Sequence, residues 1–161
     1  MRFILSSLIG MVLSMGPALS ATKTSTFDVK IQINAECQIN STNNLDFGST
    51  GVISAAIDAT STIAVQCTNG TPYNIGISAG LGASATTAAR LMTGPNSATV
   101  TYSLYSDAGR ASVWGDIIGT DTRAGTGTGA EQTYDVYGRI PVQPTPGAGS
   151  YSDTVTVTLT Y

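Results

Sequence analysis

Gly76-Ile77-Ser78-Ala79-Gly80 is a stretch whose residue types and spacing match a catalytic pattern. Gly-x-Ser-x-Gly serves hydrolases by presenting a serine nucleophile on a sharp turn between a strand and a helix. That chemistry needs a base, ordinarily histidine, to take the serine proton. The chain has no histidine at all, so Ser78 reads as an ordinary residue at a strand end. Paired carboxylates could hydrolyse glycosides, but Asp107, Asp116, Asp121 and Glu131 are scattered among loop residues, without a local pair signature. Asp116 and Asp121 do not fit the alternating ligands of a calcium loop. Ala124-Gly-Thr-Gly-Thr-Gly129 superficially resembles a phosphate cradle. It lacks a following Lys-Ser/Thr and a strand-to-helix context, and reads as a flexible loop. No cofactor and no enzymatic activity are expected.

Cys37 and Cys67 remain. A metal site is disfavoured because histidine and Cys-x-x-Cys are both missing. An even pair in an exported protein reads as a disulfide. Export is indicated by the first residues: Arg2 supplies a positive charge, Phe3–Leu13 is largely apolar, and Gly16–Ala21 offers small residues suited to cleavage after Ser20. The apolar stretch is far short of the ~20 residues that span a bilayer. Residues 1–20 are therefore expected to be a signal peptide, and the mature chain to carry no membrane span.

Losing residues 1–20 removes Arg2 and moves the net charge from −3 to about −4. With so few basic residues and none clustered, nucleic acid is an improbable partner. Only 11% of residues are charged, and Thr, Ser, Asn and Gly supply the polarity. That suits sheet surfaces that pack against neighbours. The length fits one domain.

The elements that must position these residues are strands. Val155, Val157, Leu159 and Tyr161 alternate with Thr154, Thr156, Thr158 and Thr160, the period of a half-buried strand. The given sequence stops on this run, so an open strand edge is expected there, and open edges invite another strand. Phe27, Val29, Ile31 and Ile33 form a second alternating run within 26–37. Further strands are expected at 44–48, 62–67, 73–77, 99–105, 112–117 and 133–140. A hairpin turn is expected at 68–72, where Asn69-Gly70 favours positive φ. Residues 83–90 allow one short helical turn at most, and 119–129 and 144–149 are glycine-rich loops. Seven or eight short strands between turn signals indicate an all-β sandwich.

The ordered set Cys37, Leu45-Asp-Phe47-Gly48, Ile63-Ala-Val65-Gln-Cys67, Tyr102-Ser-Leu-Tyr105, Trp114-Gly115-Asp116, Val136-Tyr-Gly138-Arg139-Ile-Pro141 and Gly149-Ser-Tyr151-Ser-Asp153-Thr-Val155 resembles the spore coat protein U domain family. That family includes pilin subunits of archaic chaperone–usher pili. Tyr161 is similar to the terminal aromatic of chaperone–usher subunits. The resemblance implies an incomplete immunoglobulin-like Greek-key β-sandwich, completed by a donor strand from a neighbouring subunit. It implies a periplasmic chaperone, an outer-membrane usher and other pilin subunits as partners, and periplasmic transit to a cell-surface fimbrium. It gives the donor role to Phe27, Val29, Ile31 and Ile33, and the chaperone and acceptor edge to Val155, Val157, Leu159 and Tyr161. Residues 21–36 would be the donor segment merging into the first strand, and 37–161 the sandwich domain. The competing expectation is that 27–33 is the domain's own first strand. Two other functional classes stand beside the pilus: a static spore or cell-surface coat protein, and a carbohydrate-binding module using Tyr105, Trp114 and Tyr137.

Overall fold

The computed structural model describes residues 20–161; the expected signal peptide at 1–20 lies, but for Ser20, outside the described residues. The chain divides after Gln32. In the first part, residues 20–32 form no strand. Lys30 Nζ lies 2.9 Å from Asp28, as i and i+2 side chains do when they share one face of extended backbone. Phe27, Val29 and Ile31 alternate with that pair and are 85–87% exposed.

The second part, Ile33–Tyr161, holds eight strands: β1 Cys37–Thr42, β2 Ile57–Cys67, β3 Pro72–Ile77, β4 Arg90–Thr93, β5 Thr99–Tyr105, β6 Arg123–Thr126, β7 Glu131–Ile140 and β8 Val157–Thr160. Every pairing is antiparallel. One sheet has the order β1-β2-β7-β5-β4 and the other β6-β3-β8. Two such sheets face each other because each strand buries alternate residues. The shared core contains Ile63 and Val65 of β2, Tyr73, Ile75 and Ile77 of β3, Leu104 of β5 and Val136 of β7. This is the all-β sandwich anticipated, of immunoglobulin-like type, with connections that cross between sheets.

Several local expectations are corrected. The first strand starts at Cys37, so the alternation of 27–33 does not mark a strand of this domain. The 68–72 turn exists: Thr71 N donates to Thr68 O at 3.0 Å, and Gly70 has φ +83°, the left-handed value that favours glycine. It is not a hairpin, because β2 and β3 belong to different sheets. Residues 44–48 form no strand. They lay Leu45 and Phe47 over Gly138, where a Cβ would meet both side chains at 2.9 Å. Residues 112–117 contribute a single bridge, Tyr105 to Val113. The glycine-rich stretch 119–129 contains β6, and 83–90 contains no helix but leads into β4.

Arg90 explains why β4 was invisible to hydrophobic periodicity. It is fully buried, with Nε donating to Ser78 O (2.8 Å), Nη1 to Thr87 O (2.6 Å) and Nη2 to Ile77 O and Trp114 O (both 2.8 Å). A guanidinium's fixed fork of donors can satisfy four converging carbonyls. Burial pulls its pKa down, opposed by Tyr102, Asp116, Asp153 and Asp121. Arg90→Lys keeps the charge but loses the fork. It is expected to destabilise the fold by about 2 kcal/mol, because carbonyls are left unpaired. A denaturant titration checks this; an unchanged midpoint would show that the four bonds contribute nothing.

A strandless cleft beside β8

β8 pairs only with β3, and its other edge is open among the described residues. The alternation predicted from the sequence is present: Val155, Val157 and Leu159 are half-buried against the core, and the intervening threonines are exposed. The ladder itself covers only Val157–Thr160, with Ser152 bridged to Thr93 further up. Tyr161 departs from the pattern at 61% exposed.

Opposite β8 runs β1, the edge strand of the other sheet. Only Cys37 of β1 is buried. The Cys37–Cys67 disulfide ties it to β2 across 30 residues of sequence. Its ladder is interrupted by a bulge between Ile39 and Ser41. Past β1, Asn43 N donates to Thr62 O at 3.0 Å and Ser61 Oγ to Asn43 O, so the chain stays beside β2 as far as Asn43, before Leu45 and Phe47 reach over Gly138.

Between these two edges lies a cleft of about 800 Å³. Its floor is core: Ile63, Ile77, Tyr102, Leu104 and Val136. Ile39 and Leu45 stand on one wall, Val155 and Val157 on the other. A second space of about 640 Å³ adjoins it, sharing Leu45, Phe47, Met92 and Tyr151 and ending among Ile53, Ile140 and the 145–150 loop. An aligned sandwich places a strand where this cleft runs. The arrangement exposes apolar floor together with an unpaired strand edge, and both are satisfied at once by one added strand.

The Asp153 carboxylate in the cleft is already partnered. Asp153 accepts from Tyr102 Oη (2.8 Å) and Leu81 N (2.8 Å). Burial first, and then this bond to Asp153, push the Tyr102 phenol above its usual 10.0. Burial and the Tyr134 hydroxyl push Tyr73 up likewise. A group whose folded pKa is raised contributes stability that is complete below its unfolded pKa and lost above it. On the alkaline side, thermal stability is therefore expected to be level from neutral pH to about pH 9 and to fall from about pH 10 upward. Melting curves should show a shallower alkaline fall for Tyr102→Phe; the same slope in that variant would contradict the assignment.

Three of the residues singled out for chemistry make hydrogen bonds that hold the fold. Ser78 directly follows β3, and its Oγ accepts from Thr156 N at 2.9 Å. Asp121 accepts from Ile117 N and Asp107 from Ser112 N, each at 2.7 Å. Among the described residues no cluster of His, Cys, Asp and Glu is placed to hold a metal, and no helix is long and apolar enough to cross a membrane. Trp114 is fully buried, with Nε1 donating to Ile75 O at 2.8 Å, which removes it from any sugar-stacking platform. Tyr105 and Tyr137 are cross-strand partners and half-buried; the Arg110 guanidinium lies 5.7 Å from the centre of the Tyr137 ring. Sequence reading missed Leu45, Phe47 and Tyr151 as cleft residues; the Leu-x-Phe-Gly and Gly-Ser-Tyr pieces of the ordered pattern were the available signal.

Fold and cleft together define a class: an antiparallel β-sandwich with an apolar-floored cleft beside an open sheet edge. The family model of the Spore Coat Protein U domain matches residues 23–158, and the chain belongs to that family. Protein U of Myxococcus xanthus is 30% identical over 164 residues, covering 93% of this chain and 91% of the relative. Among solved structures, the chain is similar in fold to one from the chaperone–tip adhesion subunit pre-assembly complex of the archaic chaperone–usher Csu pili of Acinetobacter baumannii. That likeness has a TM-score of 0.58 at 24% identity, and covers 80% of this chain but only 40% of the solved one.

Proposed function

We propose that this protein is a structural subunit of an extracellular pilus, assembled by a chaperone and usher through donor-strand complementation, and carries out no reaction of its own. The observation that carries this reading is the strandless apolar cleft along β8. The chain also supplies what would fill such a cleft: Phe27, Val29, Ile31 and Ile33, exposed and alternating. These four span six residue steps, about 20 Å at strand rise, the same distance as Asp153 to Leu159 along the β8 side. Burying four such side chains contributes roughly 6–12 kcal/mol before ordering costs. Val155, Val157 and Leu159 form the acceptor edge, first for a periplasmic chaperone strand and then for the neighbouring subunit. Tyr161, at the outer end of that edge, contacts the partner rather than the core. The exported chain crosses the periplasm and ends at the cell surface.

Membership of the Spore Coat Protein U domain family favours one second reading, a spore or cell-surface coat protein that keeps the sandwich in a static layer. Amide hydrogen exchange separates the two. In a donor-complemented assembly the β8 amides facing the cleft become protected relative to the free subunit. Equal exchange in both states would contradict the pilus reading.

A further inference from the structure

The two ends of the sandwich differ. At one end, the base, lie the Cys37–Cys67 bond, the Thr68–Thr71 turn and the Gly127–Gly129 loop, joined by Gly70 N to Gly127 O (2.8 Å) and Gly129 N to Cys67 O (3.0 Å). At the other, the mouth, Ile57 of β2 faces Ile140 of β7, and residues 50, 51, 53 and 145–149 line the far part of the cleft. Val52 and Val142, close to these residues in sequence, are 71% and 63% exposed.

The chain enters β1 from the base and is latched there. Thr68 N donates to Glu36 O (2.9 Å), Glu36 N to Thr68 Oγ1 (3.1 Å), and Thr68 Oγ1 to Asn34 O (3.1 Å). Ile33 is thus one residue, about 3.8 Å of chain, from a point fixed to its own base. A donor strand whose last inward side chain is Ile33 leaves the recipient's cleft with almost no slack. Its own base must sit against the end of the recipient from which it emerges.

β8 runs from mouth to base, since Val157 pairs with Ile77, and Thr160 pairs with Asn74 near the base turn. A donor parallel to β8 would emerge at the recipient's base. The recipient's own linker starts there too, so the bases of three successive copies would converge on one place. A donor antiparallel to β8 emerges at the mouth, and each base then lands on the next mouth without crowding.

Resting on the donor-strand reading above, we infer that the mouth loops around Val52 and Val142 form a docking surface for the base turn Thr68–Gly70 of a second copy of this chain. The contact stiffens the joint between copies and gives the 144–149 glycine-rich loop, which borders the same mouth, a role at the interface.

Single cysteines test this. Val52→Cys and Val142→Cys replace exposed side chains, so the fold tolerates them. Thr60→Cys, exposed on β2 three residues in from Ile57, is the control. Maleimide labelling is compared between periplasmic monomer and polymer recovered from the cell surface. The expected result is labelling at least about tenfold slower at 52 or 142 in the polymer, as for any site shielded from solvent, with Thr60→Cys unchanged. If heat-sensitive polymers form and both mouth cysteines label as fast as in the monomer, the docking surface is wrong and the donor-strand reading stands. If no polymers form even from the unsubstituted chain, both are wrong.

Discussion

Val29→Asp is expected to abolish polymers while leaving a folded, exportable subunit. Val29 is 85% exposed and belongs to no strand of the subunit, so the carboxylate is solvated in the monomer at no cost to the fold. In a recipient's cleft the same carboxylate would lie against a floor of Ile, Leu and Val side chains. It forfeits roughly 1.5–3 kcal/mol of apolar burial and adds the desolvation of an unpaired charge, several kcal/mol more. A total above about 4 kcal/mol lowers occupancy by a thousandfold or more. Ile31→Asp should behave the same way. The measurement is the amount of surface polymer relative to periplasmic monomer. Normal polymer from either variant would remove 27–33 from the donor role, whatever the monomer's stability.

Cys37→Ser is expected to cost about 3–4 kcal/mol, the loop-closure stabilisation for a disulfide that closes roughly 30 residues. The effect should be concentrated on one wall of the cleft. Cys37 is the only buried residue of β1, the ladder to β2 contains a bulge, and β1 has no second sheet neighbour among the described residues. Losing the bond frees that strand before it unfolds the core. A chemical denaturation curve gives the total, and amide exchange gives its location. The yield of chaperone-bound subunit should fall in step. A midpoint within the equivalent of about 1 kcal/mol of the parent, with β1 still protected, would show that the bond is dispensable.

How much of this was legible beforehand varies by element. β7 and β5 could be placed because their inward residues repeat every second position and face one core. β8 could be recognised from Val155, Val157 and Leu159, although its hydrogen-bonded ladder is shorter than its alternation, since pattern reports a buried face and not a paired backbone. The 27–33 run shows the same limit more sharply: its alternation is as clear as that of β8, yet it forms no strand in this domain. Periodicity alone cannot say whose core a face is meant for. β4 and β6 were missed for different reasons. Arg90 puts a charge at an inward position, where no sequence rule anticipates four converging carbonyls. Arg123-Ala-Gly-Thr126 lies in a glycine-rich stretch and pairs as an edge. Asn69-Gly70 signalled a turn correctly, but local geometry does not reveal whether the chain returns to the same sheet. Of the cleft, one wall was legible in the β8 alternation; the other, Leu45 and Phe47 seated over Gly138, depends on packing between segments far apart in sequence.

The central claim is that copies of this chain are joined by an exchanged strand in the cleft beside β8. The most direct measurement is a denaturing gel of surface extracts, unboiled and boiled, from cells producing the full precursor with its cognate chaperone and usher. A ladder of multiples that collapses to one subunit only on boiling is predicted, because a strand buried among apolar side chains and hydrogen-bonded to an edge leaves slowly. A single band at the subunit mass under both conditions would contradict the claim and leave a non-polymerising coat or secreted domain.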